Sequence, residues 1–263
     1  MDHFAGFESY LRANNCGDST VHYRLAHVHD FARHHYRFPD VTPVQVTNWL
    51  GRTGYAPWSR ATFFGHLRSY FAWAADTGVI EADPMARMRR PKAPKGMPRP
   101  LTDAQVSLVM ATTNQNLHTW MTLALFAGLR AHEIAKLSGQ DVNANQLFVC
   151  GKGGKSAYLP THEKVWALAL DRPSQGWWFP SPVTRGHVSA RSVSELTCRW
   201  FAANGVEGGI HRLRHTYATK LLRDGANIRV VQQLMRHECL SSTEIYCAVD
   251  DGECRQAINR LAA

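Results

Sequence analysis

His211-Arg212-Leu213-Arg214-His215-Thr216 opens a helix-length stretch that runs on through Ala218 to Leu222. At about 100° per residue, His211, Arg214 and His215 share one helical stripe, and Ala218 and Leu222 extend it. Two imidazoles and a guanidinium thus head a stripe that turns apolar and faces a core. Burying such groups costs several kcal/mol unless a partner satisfies them. An anion such as a phosphate would do so, and that is the first expectation about function.

Composition narrows the partner. The chain has 263 residues, 44% apolar and 19% charged, which is globular and long enough for one large domain or two small ones. Its formal net charge of +9 points to an anionic partner. Nucleic acid comes first, an acidic membrane surface second, and a charge excess serving only solubility is the plain alternative. No stretch approaches the ~20 apolar residues of a membrane span. The start, MDHFAGFESYLR, lacks the basic and apolar regions of a secretory signal. Cys16, Cys150, Cys198, Cys239, Cys247 and Cys254 form no CxxC pair and read as reduced thiols, not as a disulfide framework or a zinc site.

Residues 1–90 read as helical. Gly17-Asp18-Ser19-Thr20 offers caps for a helix reaching about Tyr36, and Thr42-Pro43 opens another to about Leu50. Pro57 starts a third, whose Phe63, Phe64, Leu67, Tyr70, Phe71 and Trp73 make a wide apolar face that Gly78 ends. From Arg87 to Arg99 the composition changes, and residues 91–100 read as a basic, Pro-rich linker. Arg87, Arg89, Arg90, Lys92, Lys95 and Arg99 occur without an acid among three prolines, an extended linker. Its cations either track a phosphate backbone or form a solvated tether.

Residues 101–263 read as a second domain. Thr102-Asp103-Ala104-Gln105 starts a helix expected to run through Trp120 to about Phe126. Gly128-Leu129-Arg130 breaks it before a shorter helix from Ala131 to Leu137. Leu147–Cys150 and Ala157–Leu159 read as strands joined by the Gly151-Lys152-Gly153-Gly154-Lys155 turn, a hairpin.

In order, Gly128-Leu129-Arg130-x-x-Glu133, the Gly151-Lys152-Gly153 hairpin, His211-x-x-Arg214-His215-Thr216, His237 and Tyr246 resemble the tyrosine recombinase, or phage integrase, family. Trp58 to Pro84 is similar to that family's helical core-binding domain, so the likeness covers nearly the whole chain. The resemblance implies a mainly α fold with a small β-hairpin: a helical core-binding domain and an α+β catalytic domain forming a two-domain clamp around duplex DNA. It implies site-specific strand transfer through a 3′-phosphotyrosyl intermediate, with no cofactor and no metal. It implies double-stranded DNA recombination sites as partners, a homo-tetramer on two paired sites, and the cytoplasm of a bacterial or phage-infected cell. The absence of an arm-binding module ahead of the core-binding domain implies simple sites, which an accessory DNA-bending protein could supplement. Two rivals stand beside this reading, a type IB topoisomerase-like enzyme and a catalytically silent DNA-binding protein on the same scaffold.

The residue chemistry agrees with it. Phosphoryl transfer asks mainly for positioning and charge stabilisation, and the planar forks of Arg130 and Arg214 suit phosphate oxygens. Arg130 at a helix start also opposes the helix dipole, which favours an anionic partner over a plain surface arginine. Tyr246 is the candidate nucleophile; with a pKa of about 10 its phenol needs a proton acceptor or a strongly positive site. His211 is the candidate acceptor. Ser241-x-x-Glu244 is a capping box that puts Tyr246 just inside a short helix. By resemblance Lys152 is the general acid for the leaving 5′-oxygen, with Lys155 the fallback, and His237 bonds the scissile phosphate. His215 either contacts that phosphate or is structural, and Glu133 orients or neutralises nearby cations.

Met235-Arg236-His237 departs from the family's usual Leu-Gly-His. Glycine there tolerates a left-handed helix cap, which arginine resists, so the local backbone is in question. Arg236 is either a DNA phosphate contact or surface variation. His22, His27, His29, His34 and His35 are expected to line a helix surface, and Trp177-Trp178-Phe179-Pro180 to pack in a core. Residues 252–263 carry Ala257, Ile258 and Leu261 at helical spacing, too short to be stable alone; the equivalent family segment often docks on a neighbouring subunit.

Overall fold

In a computed structural model, which describes residues 3–35, 37–93, 99–151 and 156–236, the chain divides into units Met1–Lys95 and Gly96–Ala263. The first holds helices α1 (His3–Ala13), α2 (Asp18–Arg33), α3 (Pro43–Leu50) and α4 (Pro57–Asp76). The capping signals work as read: Thr42 accepts from the Gln45 backbone N–H while the Gln45 side chain accepts from that of Thr42, and Pro43 supplies the first turn. The expected apolar face of α4 is buried at Phe64, Leu67, Tyr70, Phe71 and Trp73, against Phe7, Leu11, Val28 and Phe31. Helix α2 stops at Arg33, short of the expected Tyr36. His22, His29 and His34 are exposed, while His27 and His35 are half-buried; His27 Nδ1 lies 2.6 Å from His66 Nδ1, because α2 packs on α4 along that side.

The second unit holds α5 (Asp103–Met110), α6 (Gln115–Phe126), α7 (Ala131–Ala135), strands β1 (Gln146–Cys150) and β2 (Ser156–Pro160), then α8 (Glu163–Leu170), α9 (Ala190–Ala203), α10 (Ile210–Arg223) and α11 (Ile228–Met235). The strands pair antiparallel, Leu147 opposite Leu159, so the mainly helical fold with one small hairpin holds. Thr119 to Leu125 of α6 are all buried, which makes this helix the centre of the core; α10 and α9 pack on it. Trp178 and Phe179 join the core as expected, while Trp177 stays at the surface.

One expectation fails here. The helix foreseen from Thr102 to Phe126 is two helices, parted at Ala111–Asn114. Thr112 Oγ1 accepts from the Asn114 backbone N–H, and the Asn114 side chain then caps Leu117. These short polar side chains offer the backbone a turn in place of a helical bond.

Gly128, between α6 and α7, is required twice over. Its φ is +60°, and a Cβ there would lie 2.6 Å from the Tyr217 ring of α10. Gly128→Ala is expected to destabilise the fold by about 2–4 kcal/mol, combining left-handed strain with overpacking. Urea unfolding measures this. Gly65→Ala, where a Cβ meets nothing within 4 Å, is the control and should be neutral or stabilising.

Candidate active site

The turn that Gly128 permits places Arg130 at the start of α7, where Glu133 accepts its backbone N–H at 2.7 Å. The reciprocal bond of a capping box cannot form, because a guanidinium has no acceptor. Instead Arg130 Nη1 donates to Glu133 Oε1 at 3.1 Å, and Nη2 reaches the Met235 and Arg236 carbonyls at 3.4 Å. Arg214, on the buried side of α10 and 3% exposed, donates to the carbonyls of Gly128 and Met235. The two guanidiniums, 84 residues apart in sequence (214 − 130), therefore meet on one acceptor, the Met235 oxygen.

Around Arg130 opens a cavity of about 570 Å³, lined also by Arg99, His132, Cys198, His211 and His215. The His211 and His215 rings are 5.6 Å apart, edge to face. Burial pushes the His215 pKa down to about 4, with His211 and Arg214 adding to the effect. Crowding by protein atoms, then Arg214 and Arg130, also lowers that of His211, although solvent reaches this residue and moderates the shift. Both imidazoles are thus held neutral near pH 7.

His215 sets a stability prediction. Its native pKa is depressed below the ordinary value near 6.5, so between pH 6.5 and about 4 the unfolded chain binds a proton that the native state refuses. Stability should fall as pH drops through that window and level off below it. The expected contribution is on the order of 2 kcal/mol, after allowing for solvent at the ring. His215→Asn should flatten that part of the pH–stability curve, measured by urea unfolding.

Of the residues anticipated from sequence, Arg130, Glu133, His211, Arg214 and His215 converge here. Lys152, its fallback Lys155, His237 and Tyr246 lie outside the described residues, as do Lys95 and the segment 252–263. Arg99 lines the cavity, while Arg87, Arg89, Arg90 and Lys92 are exposed in the first unit. One histidine at the site was not foreseen. His132 follows Arg130 by two residues and lines the cavity; its Nε2 is buried with no hydrogen-bond partner among the described residues. Burial lowers its pKa, against the opposing pull of Glu133. Its position inside the Arg-x-x-Glu motif was the available signal.

Of the two alternatives for Arg236, plain surface variation does not hold: its side chain is 12% exposed and donates to Glu133 Oε2 at 2.8 Å. It nevertheless takes the left-handed conformation, φ 53° and ψ 45°, that glycine would take at the end of α11.

The profile described as "Phage integrase family" matches residues 99–253, more than half of the chain. A tyrosine recombinase XerD of Xanthomonas campestris pv. campestris is 32% identical over 228 residues, covering 76% of this chain and 71% of that protein. Among solved structures, the integrase of mycobacterium phage Brujita is similar at 34% identity and a TM-score of 0.53, over 98% of this chain and 92% of its own. A lambda integrase tetramer bound to a Holliday junction matches with a TM-score of 0.72 at 20% identity, over 90% and 76%, a likeness of fold.

Proposed function

Since the chain belongs to the phage integrase family, we propose that it is a site-specific DNA recombinase that cuts and rejoins strands through a phosphotyrosyl link. The observation that carries this reading is the meeting of Arg130 and Arg214 on the Met235 carbonyl, beside a cavity whose histidines are held neutral. Three guanidiniums, those of Arg130, Arg214 and Arg236, surround the single carboxylate of Glu133, which leaves an excess of positive charge for an anion.

A scissile phosphodiester in the cavity would place its non-bridging oxygens against Arg130, with Arg214 adding its charge from a buried position where screening is weakest. Tyr246 then attacks phosphorus. The new P–O bond forms a 3′-phosphotyrosyl link and the 5′ P–O bond breaks. The phenol proton passes to neutral His211, and Lys152 gives a proton to the departing 5′-oxygen. His237 hydrogen-bonds the phosphate. A 5′-hydroxyl from a second strand reverses the steps, and the bond energy conserved in the link makes a nucleotide cofactor unnecessary. Double-stranded recombination sites are the proposed partners, and a tetramer on two of them the proposed assembly. The lambda integrase tetramer on a Holliday junction supports that arrangement. The basic stretch Arg87, Arg89, Arg90, Lys92, Lys95 and Arg99, between a core-binding region (1–90) and a catalytic region (101–263), is proposed to follow the DNA backbone. Among the described residues no helix is long and apolar enough to cross a membrane.

The test is a duplex recombination site nicked close to the cleavage position, so that the freed fragment diffuses away. The protein should accumulate a covalent DNA adduct, stable to detergent, at an undiminished rate in excess chelator. Sequence-specific binding without any adduct would sink the enzymatic reading. Loss of the adduct in chelator would replace this mechanism with a metal-dependent one.

A further inference from the structure

Arg236 is a side chain at the site that neither the Arg-x-x-Glu motif nor the His-x-x-Arg-His motif contains, and its backbone runs against its residue type. A non-glycine residue in the left-handed region costs roughly 1–2 kcal/mol. The conformation is held because the side chain is anchored at every nitrogen. Nη2 donates to Glu133 Oε2 at 2.8 Å and to the Gly128 carbonyl at 3.2 Å. Nη1 donates to the Leu234 carbonyl at 2.9 Å, and Nε lies 3.4 Å from Glu133 Oε1. The guanidinium points inward and is not among the groups lining the cavity.

Its partner is the fully buried carboxylate that Arg130 also touches. Without Arg236, Glu133 would keep Arg130 as its nearest cation. A guanidinium and a carboxylate left to themselves pair fork to fork. That pairing would turn Arg130 away from the cavity and cancel its charge. With Arg236 present, Glu133 divides its two oxygens, and the Gly128 carbonyl just before Arg130 is clasped by Arg236 and Arg214 together.

We propose that Arg236 is a positioning residue for strand cleavage, taking up the Glu133 carboxylate and the Gly128 carbonyl so that Arg130 is held toward a phosphate in the cavity with its charge available. The inference rests on the recombinase reading for the identity of that phosphate. The groups facing Glu133 are Arg130 at the start of α7, Arg214 on α10, Arg236 at the end of α11, and His132 on its own helix. Burial works to raise the Glu133 pKa; the Arg236 charge is the largest influence against it, followed by the Arg130 backbone N–H and the Arg130 and Arg214 charges, and the net result is a lowered value. Removing Arg236 therefore lets Glu133 protonate at higher pH.

The experiment follows single-turnover adduct formation on the nicked site against DNA concentration and pH. It compares the wild type with Arg236→Gly, Arg236→Lys, Glu133→Gln, and Glu133→Gln combined with Arg236→Gly. Arg236→Gly relieves the backbone strain, so it should fold. Its maximal rate should fall about tenfold, with half-saturation within about twofold, the signature of a contribution to the chemical step. The acid limb of its rate profile should move to higher pH, and Arg236→Lys should recover part of the rate. In the Glu133→Gln background, Arg236→Gly should cost less than about twofold, because the two residues act as one unit. Equal cost in both backgrounds overturns the proposal, as does weaker DNA binding with an unchanged maximal rate. Failure of the wild type to form any adduct would defeat the recombinase reading instead. The pair is then judged by urea unfolding of the same five proteins, where an equal loss from Arg236→Gly with and without Glu133 overturns the inference.

Discussion

Tyr246→Phe is expected to lower the rate of covalent adduct formation by a factor of about 10⁴ or more, while duplex binding stays within about twofold. The substitution removes one oxygen and leaves the ring, so any packing role survives and only the nucleophile is lost. On the proposed reading the rest of the site, Arg130 with Arg214 behind it and the two neutral histidines, is unchanged, which is why binding should persist. Gel-shift titration gives the binding, and detergent-resistant mobility on the nicked site gives the adduct. An adduct trapped with the phenylalanine variant would mean that another residue attacks.

Arg214→Lys comes second. It is expected to slow adduct formation by about 10²-fold, the scale on which a misplacement of about 1 Å acts, because the fork that bridges the Gly128 and Met235 carbonyls fixes the turn that carries Arg130. It should also destabilise the protein by about 1–3 kcal/mol, because a single ammonium cannot span the Gly128 and Met235 carbonyls and one buried, charge-assisted hydrogen bond is lost, although Arg236 and Arg130 still donate to those oxygens. The two effects are separable: urea unfolding reports the second, and single-turnover rates at a temperature where the variant remains folded report the first. An arginine that served only as a structural clasp would show the stability loss without the rate loss. Lysine preserves the charge and changes the geometry, so a rate near that of the wild type would show that the fork has no part in the chemistry.

These expectations differ in how far they could be read from the chain. Local signals were reliable at the capping boxes and at the hairpin. Thr42 and Thr102 each cap with a glutamine three residues on. Gly151 to Lys155 separates two strands that do pair. The Asn114 cap shows the limit: the apolar residues on either side carry a helical period, and a competition between side-chain and backbone hydrogen bonds divides them. His27 shows another, since the face of α2 that lies against α4 depends on packing and not on its own polarity.

At the site the division is sharper. The order of Arg130, Glu133, His211, Arg214 and His215, together with the hairpin glycines, His237 and Tyr246, carried the resemblance to the family, and that resemblance implied the chemistry. Arg236 went the other way. Its residue type argues against a left-handed turn, yet the turn forms, because Glu133 and the Gly128 carbonyl, more than 100 residues earlier, anchor the guanidinium and offset the backbone cost. The neutrality of His215 belongs to the same class, arising from burial beside His211 and Arg214. The chain alone determined the family, the helical framework and the charged groups a phosphate would need, since these follow from residue identity and near-neighbour geometry. Only the tertiary structure decided which arginine faces the cavity, which lies buried beneath it, and which is spent on Glu133, since those assignments depend on distances between helices that no local pattern encodes.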